Sequence, residues 1–191
     1  MARTIFDTPV ISPIIRLCSL VAFRLIGWKA VGDPHQADKY VLIAEPHTSN
    51  VDVPLMMAAS FILRLKLHWI GKETLFVGWK GPIIRWIGGL PISRAGGENE
   101  VARVARLFEG REKLALAIAP QGTRAHKDKW RTGFYWIAVG ANVPVLTGFL
   151  DYKTRRAGVG PLFHPTGNVE EDIQDMRKFY AGMVGRNPER Q

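Results

Sequence analysis

The chain has 191 residues, 47% of them hydrophobic and 23% charged, the balance of one globular domain, which excludes a long disordered tract. A formal net charge of +9 and a pI of about 10.0 call for an anionic partner: nucleic acid, an acidic lipid surface or a phosphorylated substrate. A single cysteine, Cys18, excludes an intrachain disulfide, and the histidines at 35, 47, 68, 126 and 164 show no metal-ligand spacing.

The first predicted element is the apolar stretch from Ile11 to Trp28. It has no small-residue cleavage site, and Arg16 and Arg24 interrupt it, so it reads neither as a secretory leader nor as a membrane span. At about 100° per residue, Ser12, Arg16 and Ser19 share one narrow stripe, with Arg24 and Gly27 near its edge. Ile14, Leu17, Cys18, Val21 and Leu25 occupy the opposite side. A broad apolar face with a basic stripe is the pattern of a helix lying in a bilayer interface, and Trp28 and Lys29 suit the headgroup level. The alternative is a helix packed on the protein's own core. The division expected from this is an amphipathic, membrane-associating region at 1–30 and a main domain at 31–191, with Gly32-Asp33-Pro34 at the junction.

Beyond the junction, Tyr40 to Ala44 is a short apolar run with the character of a buried strand, followed by a loop from Pro46 to Asn50. Val51 to Arg64 has helical periodicity, and Leu67 to Ile70 reads as a second strand. Gly81-Pro82 opens a short helix through Trp86, stopped by Gly88-Gly89, and Leu90 to Ser93 is strand. Val101, Val104, Ala105 and Phe108 place an amphipathic helix over Glu98 to Glu109. Leu114 to Ala119 is strand, Gly133 to Ala141 helix and Val143 to Leu150 strand. Asn168 with Glu171 three residues on forms a capping box for a last helix reaching about Val184. Strands alternating with helices make a single α/β domain with a largely buried sheet.

Three clusters carry chemistry. His47-Thr-Ser-Asn-Val-Asp52 places a histidine in a loop and an aspartate in the first turn of the following helix. In one continuous helix the two would diverge by about 140°, but a loop can fold back and bring Asp52 to the ring. A carboxylate on one ring nitrogen leaves the other as a base for a substrate hydroxyl. The competing reading is that Asn50 or Asp52 only caps the helix. Gly89-Leu-Pro-Ile-Ser-Arg94 delivers an arginine to a strand end, where it can grip phosphate with two parallel bonds or lie solvated. Ala119-Pro-Gln-Gly-Thr-Arg124 again follows an apolar strand; Gly122 permits a tight turn, and Gln121, Thr123 and Arg124 offer an anion-binding rim, or an ordinary turn.

In order and approximate spacing these clusters resemble the glycerolipid and lysophospholipid acyltransferase family, which includes 1-acyl-glycerol-3-phosphate acyltransferases, over about residues 40 to 150. His47 through Asp52 match its His-x-x-x-x-Asp motif. Lys72-Glu-Thr-Leu-Phe76 through Gly89 and Arg94 resemble its second block, Pro120 to Arg124 its Pro-Glu-Gly-Thr-Arg block, and Val143-Pro144 the fourth. The resemblance implies a mixed, mostly parallel sheet flanked by helices. It also implies transfer of a fatty acyl group from acyl-CoA or acyl carrier protein to a lysophospholipid hydroxyl, with no metal or bound cofactor. His47 would be the catalytic base and Asp52 its orienting partner. Arg94 and Arg124 would bind acceptor phosphate, with Gln121, Gly122 and Thr123 shaping the rim and Lys72 a lesser anion contact. Two positions depart from the pattern: Gln121 replaces the usual glutamate, and Ser93 stands where an acidic residue often precedes the arginine. Both make the expected acceptor site less negative. Peripheral attachment to the cytoplasmic face of the cell membrane is expected. A non-catalytic lipid-binding protein of the same fold is the alternative; no nucleic-acid motif is present.

Overall fold

The computed structural model describes residues 3–92, 99–121 and 130–190. Helix α1 (Ile11–Ile26) leads through strand β1 (Lys29–Val31) to β2 (Lys39–Glu45), α2 (Asp52–Ile62) and β3 (Leu67–Lys72). A 3-10 turn at Glu73–Phe76 precedes α3 (Lys80–Trp86) and β4 (Gly89–Ile92). Then come α4 (Glu100–Ala105), β5 (Leu114–Ile118), α5 (Gly133–Ala141), β6 (Val145–Asp151), β7 (Arg156–Phe163) and α6 (Val169–Tyr180). The seven strands form one sheet in the order β1-β7-β6-β2-β5-β3-β4. All neighbours are parallel except β6 and β7, so β7 and β1 run against the other five. This is the mixed, mostly parallel α/β sheet expected from the sequence.

Alternation along β2 divides the core. Val41 and Ile43 point to one face, where they pack with Phe108, Leu116, Phe134, Tyr135, Met176 and Tyr180 beneath α4, α5 and α6. Tyr40 and Leu42 point to the other face, which α1 and α2 cover through Phe23 and Ala59, with Trp28 from the link between α1 and β1. α3 lies on this second side as well. The Trp86 carbonyl accepts the Ile5 N–H at 2.6 Å and its indole donates to Thr8 Oγ1 at 2.8 Å, while Phe6 stacks on Phe61 of α2.

Two strands escaped the sequence reading. β1 is three residues long, too short to show a period, and straddles position 30. β7 alternates around Gly158 and Gly160, which lack the side chains that would mark a strand. Gly158 is required there, because a Cβ would lie 1.8 Å from the Val31 carbonyl oxygen on the paired strand. The last helix ends at Tyr180, short of Val184, and the chain leaves it through Gly182 at φ 84°. The expected helix at Glu98–Glu109 spans Glu100 to Ala105 and finishes as a 3-10 turn through Phe108; Glu98 and Ser93 lie outside the described residues.

α1 has the expected stripes, turned in an informative direction. Ser19 and Phe23 are its buried residues, and Arg16 Nε donates to the Ile62 carbonyl of α2 at 3.3 Å, so the narrow polar stripe faces the protein. The broad apolar face is outward: Ile14, Leu17, Val21 and Leu25 are exposed, Leu25 by 81%. The helix therefore does not pack its apolar face on the core. Among the described residues, every exposed large apolar side chain except Trp136 and Val139 lies on the α1–α2–α3 side or its connecting turns. No described helix is long and apolar enough to cross a membrane.

Candidate active site

The five parallel strands end on one edge of the sheet, and the loop after β2 builds the site there. β2 stops at Glu45, Pro46 turns the chain, and α2 begins at Asp52. Between them the loop folds back over the aspartate. Both the Thr48 and Ser49 N–H groups donate to Asp52 Oδ2 at 2.8 Å, which draws His47 in until its Nδ1 lies 3.2 Å from the same oxygen. At this distance the ring and the carboxylate are in close contact, short of a fully formed hydrogen bond. Nδ1 is shielded and the His47 side chain is 15% exposed, so the open part of the ring leaves Nε2 to meet a substrate.

Asp52 is fully buried. Burial pushes its carboxyl up, but His47, the Tyr152 hydroxyl and the Ser49 and Thr48 N–H groups outweigh this and hold it below the usual carboxylate range. Its place in the first turn of α2 adds the favourable end of the helix dipole. Asp52 is thus an anion at neutral pH, able to orient an imidazole and balance its charge.

A second carboxyl lies next to the first. Glu45 is 4% exposed, and its Oε2 accepts the His47 N–H at 3.2 Å. Burial pushes it up to about 7, against the lowering influence of His47, Arg177 and Gln121. Gln121, just past neighbouring strand β5, is buried beside it, and among the described residues Glu45 Oε1 and Gln121 Oε1 have no hydrogen-bond partner. A carboxyl from β2 thus shares this corner with Gln121, one that burial holds partly protonated at neutral pH.

The segment after α6 closes the site from behind. The Asn187 N–H donates to Thr48 Oγ1 at 3.1 Å, and its Nδ2 to the Thr48 carbonyl at 3.0 Å. Gly185 passes so close that a Cβ would lie 2.8 Å from Thr48 Oγ1 and 3.3 Å from Pro46 Cβ, so only glycine fits without moving the loop. Val184 and Tyr152 exchange bonds with this end of the sheet: Tyr152 N–H reaches the Val184 carbonyl at 2.9 Å, and Val184 N–H reaches Asp151 Oδ1 at 3.1 Å.

Of the residues singled out in the sequence, the structure brings together His47, Asp52 and the buried Gln121. Lys72 ends β3 on the same edge and is exposed. Arg94, Gly122, Thr123 and Arg124 lie outside the described residues. Backbone donors at the start of α2 are largely engaged: Thr48 and Ser49 by Asp52, Val51 by Ser49 Oγ and Asp52 by the Ser49 carbonyl. Sequence reasoning missed Glu45, Tyr152 and Asn187. Glu45 was readable as a charge ending an apolar strand, and Asp151-Tyr-Lys-Thr154 as an aspartate-capped turn; Asn187 carries no local signal.

Residues 29–150, well over half of the chain, match the model of a protein family described as Acyltransferase. No curated protein shows significant similarity to the chain. Among solved structures, that of the 1-acyl-sn-glycerophosphate (LPA) acyltransferase PlsC from Thermotoga maritima matches with a TM-score of 0.56 at 19% identity, covering 92% of this chain and 82% of its own. At that identity the likeness is one of fold.

Proposed function

The chain belongs to the acyltransferase family, and on that premise we propose that it moves a fatty acyl group from an acyl thioester to the hydroxyl of a lysophospholipid or related glycerolipid, as in 1-acyl-glycerol-3-phosphate acylation. The observation that carries this reading is the buried Asp52 carboxylate 3.2 Å from His47 Nδ1, on the edge where five parallel strands end. His47 Nε2 takes the proton of the acceptor hydroxyl as its oxygen attacks the thioester carbonyl. The tetrahedral oxyanion collapses, the C–S bond breaks, and the leaving thiolate takes the proton back from the imidazolium. The products are an ester and a free thiol. Asp52 keeps its charge throughout and stabilises the transient imidazolium.

Arg94 and Arg124 are assigned to the acceptor phosphate, with Lys72 as a further anion contact and Gln121, Gly122 and Thr123 forming the rim. The donor is acyl-CoA or acyl-ACP, and no metal or bound cofactor takes part. Residues 1–30, through the outward apolar face of α1, seat the domain peripherally on the anionic cytoplasmic face of the cell membrane. Arg24 and Lys29, both exposed at or just past the C-terminal end of the helix, supply charge complementary to acidic lipid. The acceptor, itself a lipid, then reaches the site without leaving the interface. The test is mass spectrometry of lipids formed by the purified protein from mixed lyso-lipids and an acyl thioester. A phospholipid heavier by one acyl group supports the reading and names the acceptor. Gln121 in place of the family glutamate favours a second reading, a non-catalytic lipid binder, for which the same mixture yields no product while vesicles still bind.

A further inference from the structure

Asp52 holds its two oxygens in different ways. Oδ2 takes the Thr48 and Ser49 N–H groups and faces His47, whereas the bond to Oδ1 comes from a residue one hundred positions away: the Tyr152 hydroxyl, at 2.7 Å. Tyr152 is itself firmly placed. It opens the turn between β6 and β7, where Asp151 Oδ1 accepts the Lys153 N–H at 3.1 Å and Oδ2 accepts the Thr154 hydroxyl. Its N–H is bonded to the Val184 carbonyl, and its ring stands edge-on to Trp28 with centroids 4.9 Å apart. Three separate parts of the chain thus converge to aim one hydroxyl at one carboxylate oxygen.

From this geometry we propose that Tyr152 is a positioning residue of the acyl-transfer reaction, its hydroxyl fixing the plane of the Asp52 carboxylate so that Oδ2 stays against Nδ1 of His47. The proposal rests on the reading of His47 and Asp52 as the catalytic pair. Rotation about the Asp52 Cβ–Cγ bond moves both carboxylate oxygens together, and with the Tyr152 hydroxyl gone only the Thr48 and Ser49 N–H groups on Oδ2 oppose it. The 3.2 Å contact with His47 is not a fully formed hydrogen bond, so it does not by itself hold Oδ2 against the ring. Binding both oxygens removes that freedom. Burial, then the bond to Asp52 and its charge, push the Tyr152 phenol well above its ordinary range against the opposing Arg186 guanidinium, so the hydroxyl remains a donor throughout the working pH range. Among the described residues, the charged and titratable groups facing Asp52 are His47 from its own loop and Tyr152 from the β6–β7 turn, with Glu45 of β2 acting on His47 and Arg186 of the C-terminal segment on Tyr152.

Tyr152→Phe removes only the hydroxyl and keeps the ring against Trp28. Steady-state rates are measured with acyl-CoA and lysophosphatidate on wild type, Tyr152→Phe, His47→Ala, Asp52→Asn and the double variant Tyr152→Phe/Asp52→Asn, at a temperature where circular dichroism shows all five folded. Tyr152→Phe is expected to lower kcat by about 10- to 100-fold with both KM values within about twofold, because orientation rather than substrate binding is lost. The acid limb of its kcat–pH profile moves to higher pH, since Asp52 has lost a donor to its charged form. In the Asp52→Asn background the same change costs little further, the non-additivity of groups acting through one another. Unchanged kcat and pH profile in Tyr152→Phe, with His47→Ala inactive, would overturn the proposal; so would a penalty equally large in the Asp52→Asn background. An active His47→Ala instead removes the reading on which it rests.

Discussion

α1 and α6 are both amphipathic helices on opposite sides of one sheet, and they are installed in opposite senses. α6 follows the ordinary rule: Met176 and Tyr180 are buried, Ile173 packs on the core, and Glu170, Glu171, Asp175, Arg177 and Lys178 face water. α1 turns Ser19, Phe23 and Arg16 toward α2 and leaves Leu17, Val21 and Leu25 outside. Periodicity shows that a helix has two faces but not which one the protein itself covers. On the same side of the molecule Leu75, Val77, Trp79 and Ile83 lie exposed as well, which extends the open apolar surface beyond α1.

The comparison breaks most readily in stability. Met176→Ala opens a cavity under α6 and should cost about 2–5 kcal/mol in urea unfolding, whereas Leu17→Ala on α1 should stay within about 0.5 kcal/mol. Equal costs would mean that the outer face of α1 is covered by protein after all.

The α6 side is also where a carboxyl is buried at a cost. The Glu45 carboxyl, influenced by Arg177 of α6, is raised to about 7 from its ordinary 4.5. Below pH 4.5 both folded and unfolded forms carry the proton and nothing is lost. Between pH 4.5 and 7 the unfolded chain ionises first, so stability falls as pH rises, by about 3 kcal/mol at most once pH exceeds 7. Glu45→Gln should flatten that decline, so that the variant gains on the wild type as pH rises from 4.5 to 8. A parallel decline in both proteins would contradict the assignment.

Smaller effects sharpen the contrast at the helix ends. Asn168 Oδ1 accepts the Glu171 N–H and its Nδ2 bonds Glu171 Oε2, so Asn168→Ala should cost about 1 kcal/mol. α1 has no side-chain cap; Val10 stands at its N-terminus with φ 67°. The smallest stability change belongs to Leu25→Ser, which should leave the melting temperature unchanged yet weaken flotation with anionic liposomes. Unaltered flotation would take α1 out of the membrane contact. Point changes suit this test better than deletion of α1, because Phe23 and Trp28 belong to the core.

Most of this architecture was legible where pattern and function coincide. The buried strands at Tyr40 and Leu114 are continuous apolar runs, the one at Leu67 is mostly apolar around His68, and the helix at Gly133–Ala141 appears with the bounds expected. The fold-back of His47 onto Asp52 was foreseeable because a loop precedes the helix. What stayed hidden depends on distance in sequence. Glu45 meets Gln121 only through strand pairing of β2 with β5, Tyr152 reaches Asp52 only because β6 lies beside β2, and Asn187 arrives by a tail that no period marks. The outward apolar face of α1 was the reading the sequence favoured over a core-packed helix, although periodicity alone left both open.

The most direct measurement is thiol release from acyl-CoA in the presence of lysophosphatidate by folded, vesicle-bound His47→Ala and Asp52→Asn. If an imidazole steered by a buried carboxylate performs the proton transfer, His47→Ala loses about 10²–10⁴-fold in rate, and Asp52→Asn is strongly impaired, while both still bind vesicles. Turnover at wild-type rates in both variants would contradict it.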